Sequence, residues 1–420
     1  MKGFKFFFLI VVIIIVILLL VVFLHKPEDI SKEKCEVVEV NLSEVTEPQE
    51  TEITEEKIFR DQFGGITESR NEFYIIDYLS ELKNNKILLK IMDFKSSELK
   101  KTISLKAGNC RAPNEFCKLI GRINYLNGRY FILNYKISIF DEYFKYQDCS
   151  VIRDRNFEYL QNLEYFQNSN KLNMFLIYSG SENERPFVTA HKIGFAVYEL
   201  NPGSSIYGAK LIIDRIKNRT KYKLIIKEKG RTIFYVNYFL PKGFGFTIGE
   251  KLYYSVNTKQ GFYVYDTVKK KKKFVKLTWL RPRIYSDEEA LAVGTYKTLN
   301  LNDKKIVKEK GAKVFYKSGK TNKLYFLWFL KGAGNTATMI TDLNTKENTF
   351  VANIIDISTG KLMERLILPY GQHFTRLLSE DWYETIPQFY IDYKRGIYIY
   401  GDRDDDWNEL VRYCRFRIKK

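Results

Sequence analysis

The sequence predicts an all-β chain of repeated antiparallel hairpins closed into a ring. Three observations lead there. One phrase, "NGRYFILNYKISIFD" at Asn127–Asp141, recurs with variations along the chain. A turn pair opens it, a dense apolar strand follows, and a second alternating strand ends in Asp. Tyr and Phe supply 30 and 31 of the 420 residues, and their flat rings pack well on a half-buried pleated surface. Long amphipathic helical patterns are missing beyond the N-terminal segment, so no helical layer is at hand to cover the sheets.

The chain opens on "FFFLIVVIIIVILLLVVFL", Phe6–Leu24, which contains no polar residue. As a helix it reaches about 28 Å, close to the hydrocarbon thickness of a bilayer. A core helix would keep a polar face. The following "VVFLHKPED" offers no A-x-A-like cleavage site, and "SKEKC" lacks the small apolar residues of a lipoprotein site. The expectation is therefore an uncleaved signal anchor over residues 1–25, with a cleaved signal peptide as the alternative. Lys2 and Lys5 precede the span, and His25, Lys26, Lys32 and Lys34 follow it, so charge alone does not set the orientation. A span with almost nothing before it usually acts as a signal anchor, which makes this a single-pass cell-membrane protein with its C-terminal part outside the cytoplasm. Residues 26–36 read as a short juxtamembrane tether.

The hairpin phrase then returns six times: Asn71–Phe94, Asn127–Asp141, Lys171–Leu200, Gly249–Asp266, Asn322–Lys361 and Arg395–Phe416. Each joins two apolar, alternating strands through a turn rich in Gly, Asn or Lys. Bare hairpins must hide their faces and edges, and radial stacking does both. Residues 37–420 are therefore expected to form a six-bladed β-propeller, at about 60 residues per blade. The wide gap between Phe175 and Tyr253 leaves seven blades as the alternative. The last unit supplies about three strands. The alternating "CEVVEVNLSEV" suggests that strand 37–42 completes the last blade and closes the ring. The acidic "EPQETEITEEK", Glu47–Lys57, is then a crossing loop, or alternatively a disordered stalk.

These units resemble the bacterial six-bladed propellers related to NHL-repeat proteins, in which a strand ends in Asp before a "G-K"-type turn. The matching stretches are "IMDFKSSELKKTI", "SIFDEYFKYQD", "VYDTVKKKKKF" and "IIDISTGKLMERLILP". The family's Gly-rich loop between early blades corresponds to "GNCRAPNEFCKLIGRINYLNGRYF", which keeps Gly108, Pro113, Glu115 and Phe116 but loses the middle glycines.

The formal charge of +18 is spread along the chain, and no nucleic-acid partner is expected from it. Its one dense cluster, Lys269–Lys273, reads as a solvated hairpin turn or, more sharply, as a patch for a polyanion or lipid headgroups. Five cysteines occur: Cys35, Cys110, Cys117, Cys149 and Cys414. Cys110 and Cys117 bracket a short loop and are either a loop disulfide or two unrelated thiols. If strand 37–42 lies beside "LVRYCRFRI", Cys35 and Cys414 become neighbours and candidates for a disulfide clasp.

Catalytic signatures are sparse. The three histidines are His25, His191 and His373, and with His25 at the membrane edge a three-His metal centre is excluded. There is no G-x-S-x-G elbow, P-loop or dinucleotide fingerprint. "GDRDDDWNE", Gly401–Glu409, clusters carboxylates without EF-hand spacing and reads first as a polar hairpin tip. No cofactor, catalytic residue or metal ligand is assigned. The reading is an extracytoplasmic binding or scaffold module for a protein or surface ligand. The alternative is a propeller hydrolase or lactonase with a carboxylate-bound Ca²⁺ at the tunnel mouth.

Overall fold

The computed structural model describes residues 35–41, 47–77, 86–107, 115–116, 122–133, 136–153, 160–168, 171–181, 191–200, 205–206, 211–218, 221–228, 231–239, 243–256, 259–280, 282–283, 328–344, 347–371, 389–404 and 408–419. The expected anchor, residues 1–25, lies outside them, as does the tether up to Lys34. Among the described residues no helix is long and apolar enough to cross a membrane, and the only helical element is a single 3₁₀ turn at Glu68–Arg70.

The chain is all-β and propeller-like. Two N-terminal strands, β1 (Cys35–Asn41) and β2 (Gln49–Phe59), precede the regular units. The first unit is an antiparallel meander of β3 (Gln62–Thr67), β4 (Glu72–Asp77), β5 (Lys86–Asp93) and β6 (Leu99–Ala107), with the short β7 (Glu115–Phe116) on its edge. The second runs through β8 (Arg122–Leu126), β9 (Arg129–Leu133), β10 (Lys136–Asp141) and β11 (Tyr146–Ile152). The third comprises β12 (Leu160–Asn168), β13 (Lys171–Ser181), β14 (His191–Glu199) and, after the short β15 (Ser205–Ile206) that joins the second sheet, β16 (Leu211–Asn218). Next come β17 (Lys221–Glu228) and β18 (Arg231–Phe239). The fourth meander is β19 (Gly243–Ile248), β20 (Lys251–Val256), β21 (Gly261–Asp266) and β22 (Lys271–Lys276), followed by the short β23 (Pro282–Arg283). The chain ends with β24 (Trp328–Lys331), β25 (Thr336–Asn344), β26 (Thr349–Asp356) and β27 (Leu362–Pro369), then β28 (Phe389–Asp392), β29 (Ile397–Arg403) and β30 (Glu409–Ile418).

Hydrogen bonding corrects the expectation of six separate blades. Four meanders stand as sheets of their own, but the last strands form one eight-stranded sheet in the order β24-β25-β26-β27-β2-β30-β29-β28. The join is short: β2 meets β27 only at Gln49–Leu366 and Glu50–Ile367.

Ring closure is the second correction. Strand 37–42 was expected beside β30, yet β30 has β29 on one edge and β2 on the other, so no edge is left for it. β1 instead runs parallel to β17 and meets β23 at Val40–Pro282. The acidic Gln49–Phe59 segment is neither loop nor stalk; it is the strand that pairs with β30 from Thr51–Ile418 to Phe59–Val411. The ordered strand also begins at Cys35, inside the span assigned to the tether.

Apolar side chains between neighbouring sheets hold the arrangement. Tyr74, Ile76 and Leu89 pack on Ile123, Tyr130 and Ile132, and Phe131, Leu133 and Ile137 pack on Leu163, Tyr165 and Met174. Phe175, Ile177 and Phe195 meet Leu252, Tyr254 and Val256. Phe63, Phe73 and Ile75 of the first sheet pack on Ile399, Val411 and Tyr413 of the last, which closes the circuit. The sheets approach closely where a glycine allows it. A Cβ at Gly245 would lie 2.8 Å from Ile177 and Phe175 side-chain atoms of the preceding sheet.

Candidate functional site

The recurring Asp has a structural task. Asp93, Asp141, Asp266 and Asp356 each end the third strand of a unit. Asp93 Oδ1 accepts the amides of Lys95 and Ser96 at 2.8 and 2.9 Å. Asp266 Oδ1 does the same with Val268 and Lys269 at 3.1 and 2.8 Å, and Asp356 Oδ1 with Ser358 and Thr359 at 2.9 Å each. Asp141 takes the Tyr143 and Lys145 amides. A left-handed residue follows in every case: Ser97, Phe144, Lys270 or Gly360. The carboxylate thus caps a tight turn that reverses the chain into the fourth strand. Burial works against the Asp93 charge, but the Ser96 amide, Lys100, the Lys95 amide and Asn71 outweigh it and hold this carboxyl down at about 2.

Other carboxylates are clamped by cations. Glu72, buried between the first and second sheets, pairs with Arg70 Nε at 3.1 Å and accepts hydrogen bonds from the Tyr74 and Tyr130 hydroxyls. Lys90 bridges Asp61 at 2.8 Å and Asp77 at 3.2 Å. Burial raises the Asp61 carboxyl above its ordinary value, although Lys90 opposes the shift. Within Gly401–Glu409, Asp402 is only 3% exposed and receives Arg412 Nε at 2.6 Å, while Asp404 accepts the Asn408 amide at 2.8 Å. Among the described residues no group of three or more His, Cys, Asp or Glu side chains is placed to hold a metal ion.

The expected clasp is not formed. Cys414 is a free thiol, buried on β30 opposite Glu56 and Tyr398, whereas Cys35 stands in another sheet opposite Lys221. The physical reason is again that both edges of β30 are filled. Cys110, Cys117 and His373 lie outside the described residues. His191 sits on β14 opposite Ser181 and Asn218.

The lysine cluster extends beyond a turn. Lys269 and Lys270 occupy the tip, and Lys271, Lys272 and Lys273 begin β22, the outermost strand of the fourth sheet. All five are exposed, as is Lys276. Val268 and Phe274, 55% and 40% exposed, interrupt the charge with apolar surface. Lys272 is anchored by Asp214 at 3.1 Å and lies over the Tyr263 ring. A charged outer strand resists edge-to-edge pairing, and it also presents a dense cationic strip. Sequence reasoning found the cluster but missed that it lies along a strand, because lysine carries no strand signal.

No family model and no curated protein matches the chain. Neither comparison supports the resemblance to NHL-type propellers expected from the sequence. Two similar solved structures share 11% identity each: Kuenenia stuttgartiensis hydrazine synthase, over 71% of this chain at a TM-score of 0.31, and a luciferin-regenerating enzyme, over 84% at 0.34. The alignment spans 60% of the first protein's chain and 90% of the second's. At such scores neither carries a functional argument for this chain.

Proposed function

We propose that this protein is a membrane-anchored, propeller-like binding module displayed outside the cytoplasm, with residues 1–25 as its anchor. The employment of its carboxylates supports this reading best. Asp93, Asp141, Asp266 and Asp356 cap turns, and Glu72, Asp61 and Asp402 neutralise buried or half-buried cations. A carboxylate committed to an amide or guanidinium has little left to offer a hard cation, which needs six or more oxygens.

The finer architecture belongs to the same proposal. The eight-stranded sheet acts as two blades bridged by the two-residue contact of β2 with β27. First strands touch in succession, β3 to β8, β12, β19, β24 and β28, which supports a propeller-like ring.

Calcium titration of the detergent-solubilised full chain tests the function. The binding-module reading expects no shift in thermal midpoint and no lactone or ester hydrolysis at millimolar Ca²⁺. A saturable stabilisation accompanied by Ca²⁺-dependent hydrolysis would replace it with the hydrolase.

A further inference from the structure

We infer that the exposed strip from Val268 to Lys276 docks on the anionic lipid headgroups of the membrane in which the chain is anchored. The inference rests on the anchor reading above and adds a contact surface to it. Three observations carry it together. The strip concentrates Lys269, Lys270, Lys271, Lys273 and Lys276, all exposed, on one outer strand and its turn. Val268 and Phe274 stand exposed among them, so apolar groups accompany the charge, the combination that suits a headgroup boundary. Each lysine near an anionic surface adds a comparable increment of attraction, so a row of five is a strong electrostatic feature.

The third observation concerns position. β1 begins at Cys35, and its Val40 pairs with Pro282 of β23. β23 follows the end of the lysine strand after a connection that spans at most about 20 Å. The segment from Leu24 to Cys35 spans at most about 40 Å even when fully extended. The first described strand after the expected anchor is therefore hydrogen-bonded to a short strand that follows the lysine strand in the chain, in a neighbouring sheet. A tether of that length keeps this sector of the ring within reach of the bilayer.

The test uses the full chain reconstituted into nanodiscs of phosphatidylcholine alone or with phosphatidylglycerol. Amine acetylation is read by peptide mass spectrometry at Lys269–Lys276, with the exposed Lys361 and Lys394 as controls. The strip is expected to label at least about threefold more slowly in anionic discs, and the protection should vanish at high salt. The controls should not change. The K269Q/K271Q/K273Q variant should lose protection at Lys270 and Lys276 while keeping the wild-type melting midpoint. Equal labelling in both disc types overturns the inference and leaves the lysines as edge guards. Protection by soluble polyphosphate alone, in neutral discs, also overturns it in favour of a soluble polyanion. Alkaline-carbonate extraction of the chain from neutral vesicles would defeat the anchor reading instead, so the two failures are distinguishable.

Discussion

Glu56 and Arg412 form an ion pair at 2.8 Å although they lie 356 residues apart in sequence. The same guanidinium holds Asp402 at 2.6 Å. Burial disfavours the Arg412 charge, but Tyr400, Glu56 and Asp402 outweigh it, and the group is held protonated more firmly than usual. The pair sits in a ladder of opposite charges between β2 and β30, with Glu50 on Lys419, Glu52 on Arg417 and Glu55 on Arg415. An acidic strand from the beginning of the domain thereby fits a basic strand from its end.

The members of this ladder are not equal. Arg412→Ala leaves Asp402 buried without its cation and is expected to cost about 3–5 kcal/mol. Arg417→Ala removes an exposed pair and should cost under about 1 kcal/mol. Urea denaturation of both variants checks the ranking, and equal losses would show that Asp402 does not depend on Arg412.

Asp93 makes acid stability partly predictable. Its carboxyl is held at about 2 against an ordinary 3.8. A depressed value means that the stabilisation is whole above the ordinary value and disappears as pH falls through about 2. Asp93→Asn should lower stability by roughly 1 kcal/mol near neutrality, after allowance for solvent screening of this turn. The gap to wild type should close between pH 4 and pH 2. A gap that persists at pH 2 contradicts the assignment.

Burial pushes the Cys414 thiol up to about 12. At pH 8 almost no thiolate forms there, and the side chain is 2% exposed. Ellman's reagent should leave Cys414 untouched in the native protein and modify it only after unfolding. Native labelling as fast as in denaturant would place the residue outside the core.

The turns offer a paired comparison. Gly360 has φ +74°, and a Cβ there would lie 2.7 Å from Val275 Cγ1. Gly360→Ala is expected to cost about 1–3 kcal/mol. Lys270 carries a side chain at φ 53° in the equivalent turn, so Lys270→Gly should stabilise by up to about 1 kcal/mol. Thermal melts of the two variants should move in opposite directions.

The hairpins were legible in the sequence because their signals are local. "FILNYKISIFD" alternates, ends in the Asp that caps its turn, and needs no distant residue to be recognised. Closure was not legible. "QETEITEEKIF" carries apolar side chains at Ile53, Ile58 and Phe59, and Ile58 is 49% exposed. Its match is the charge pattern of a strand at the far end of the chain, which periodicity cannot detect. "CEVVEVN" alternates like a closing strand, yet β30 has no edge to give it. The lysine strip shows the same limit: its composition is plain in the sequence, while its place on an outer strand requires the fold.

Amide hydrogen exchange of the full chain tests ring closure most directly. If Gln49–Phe59 is a strand paired with Glu409–Ile418, peptides from both segments should be protected to a similar degree and lose protection together as urea is added. Exchange of the 49–59 amides within seconds, beside a protected 409–418, would contradict closure by the acidic strand.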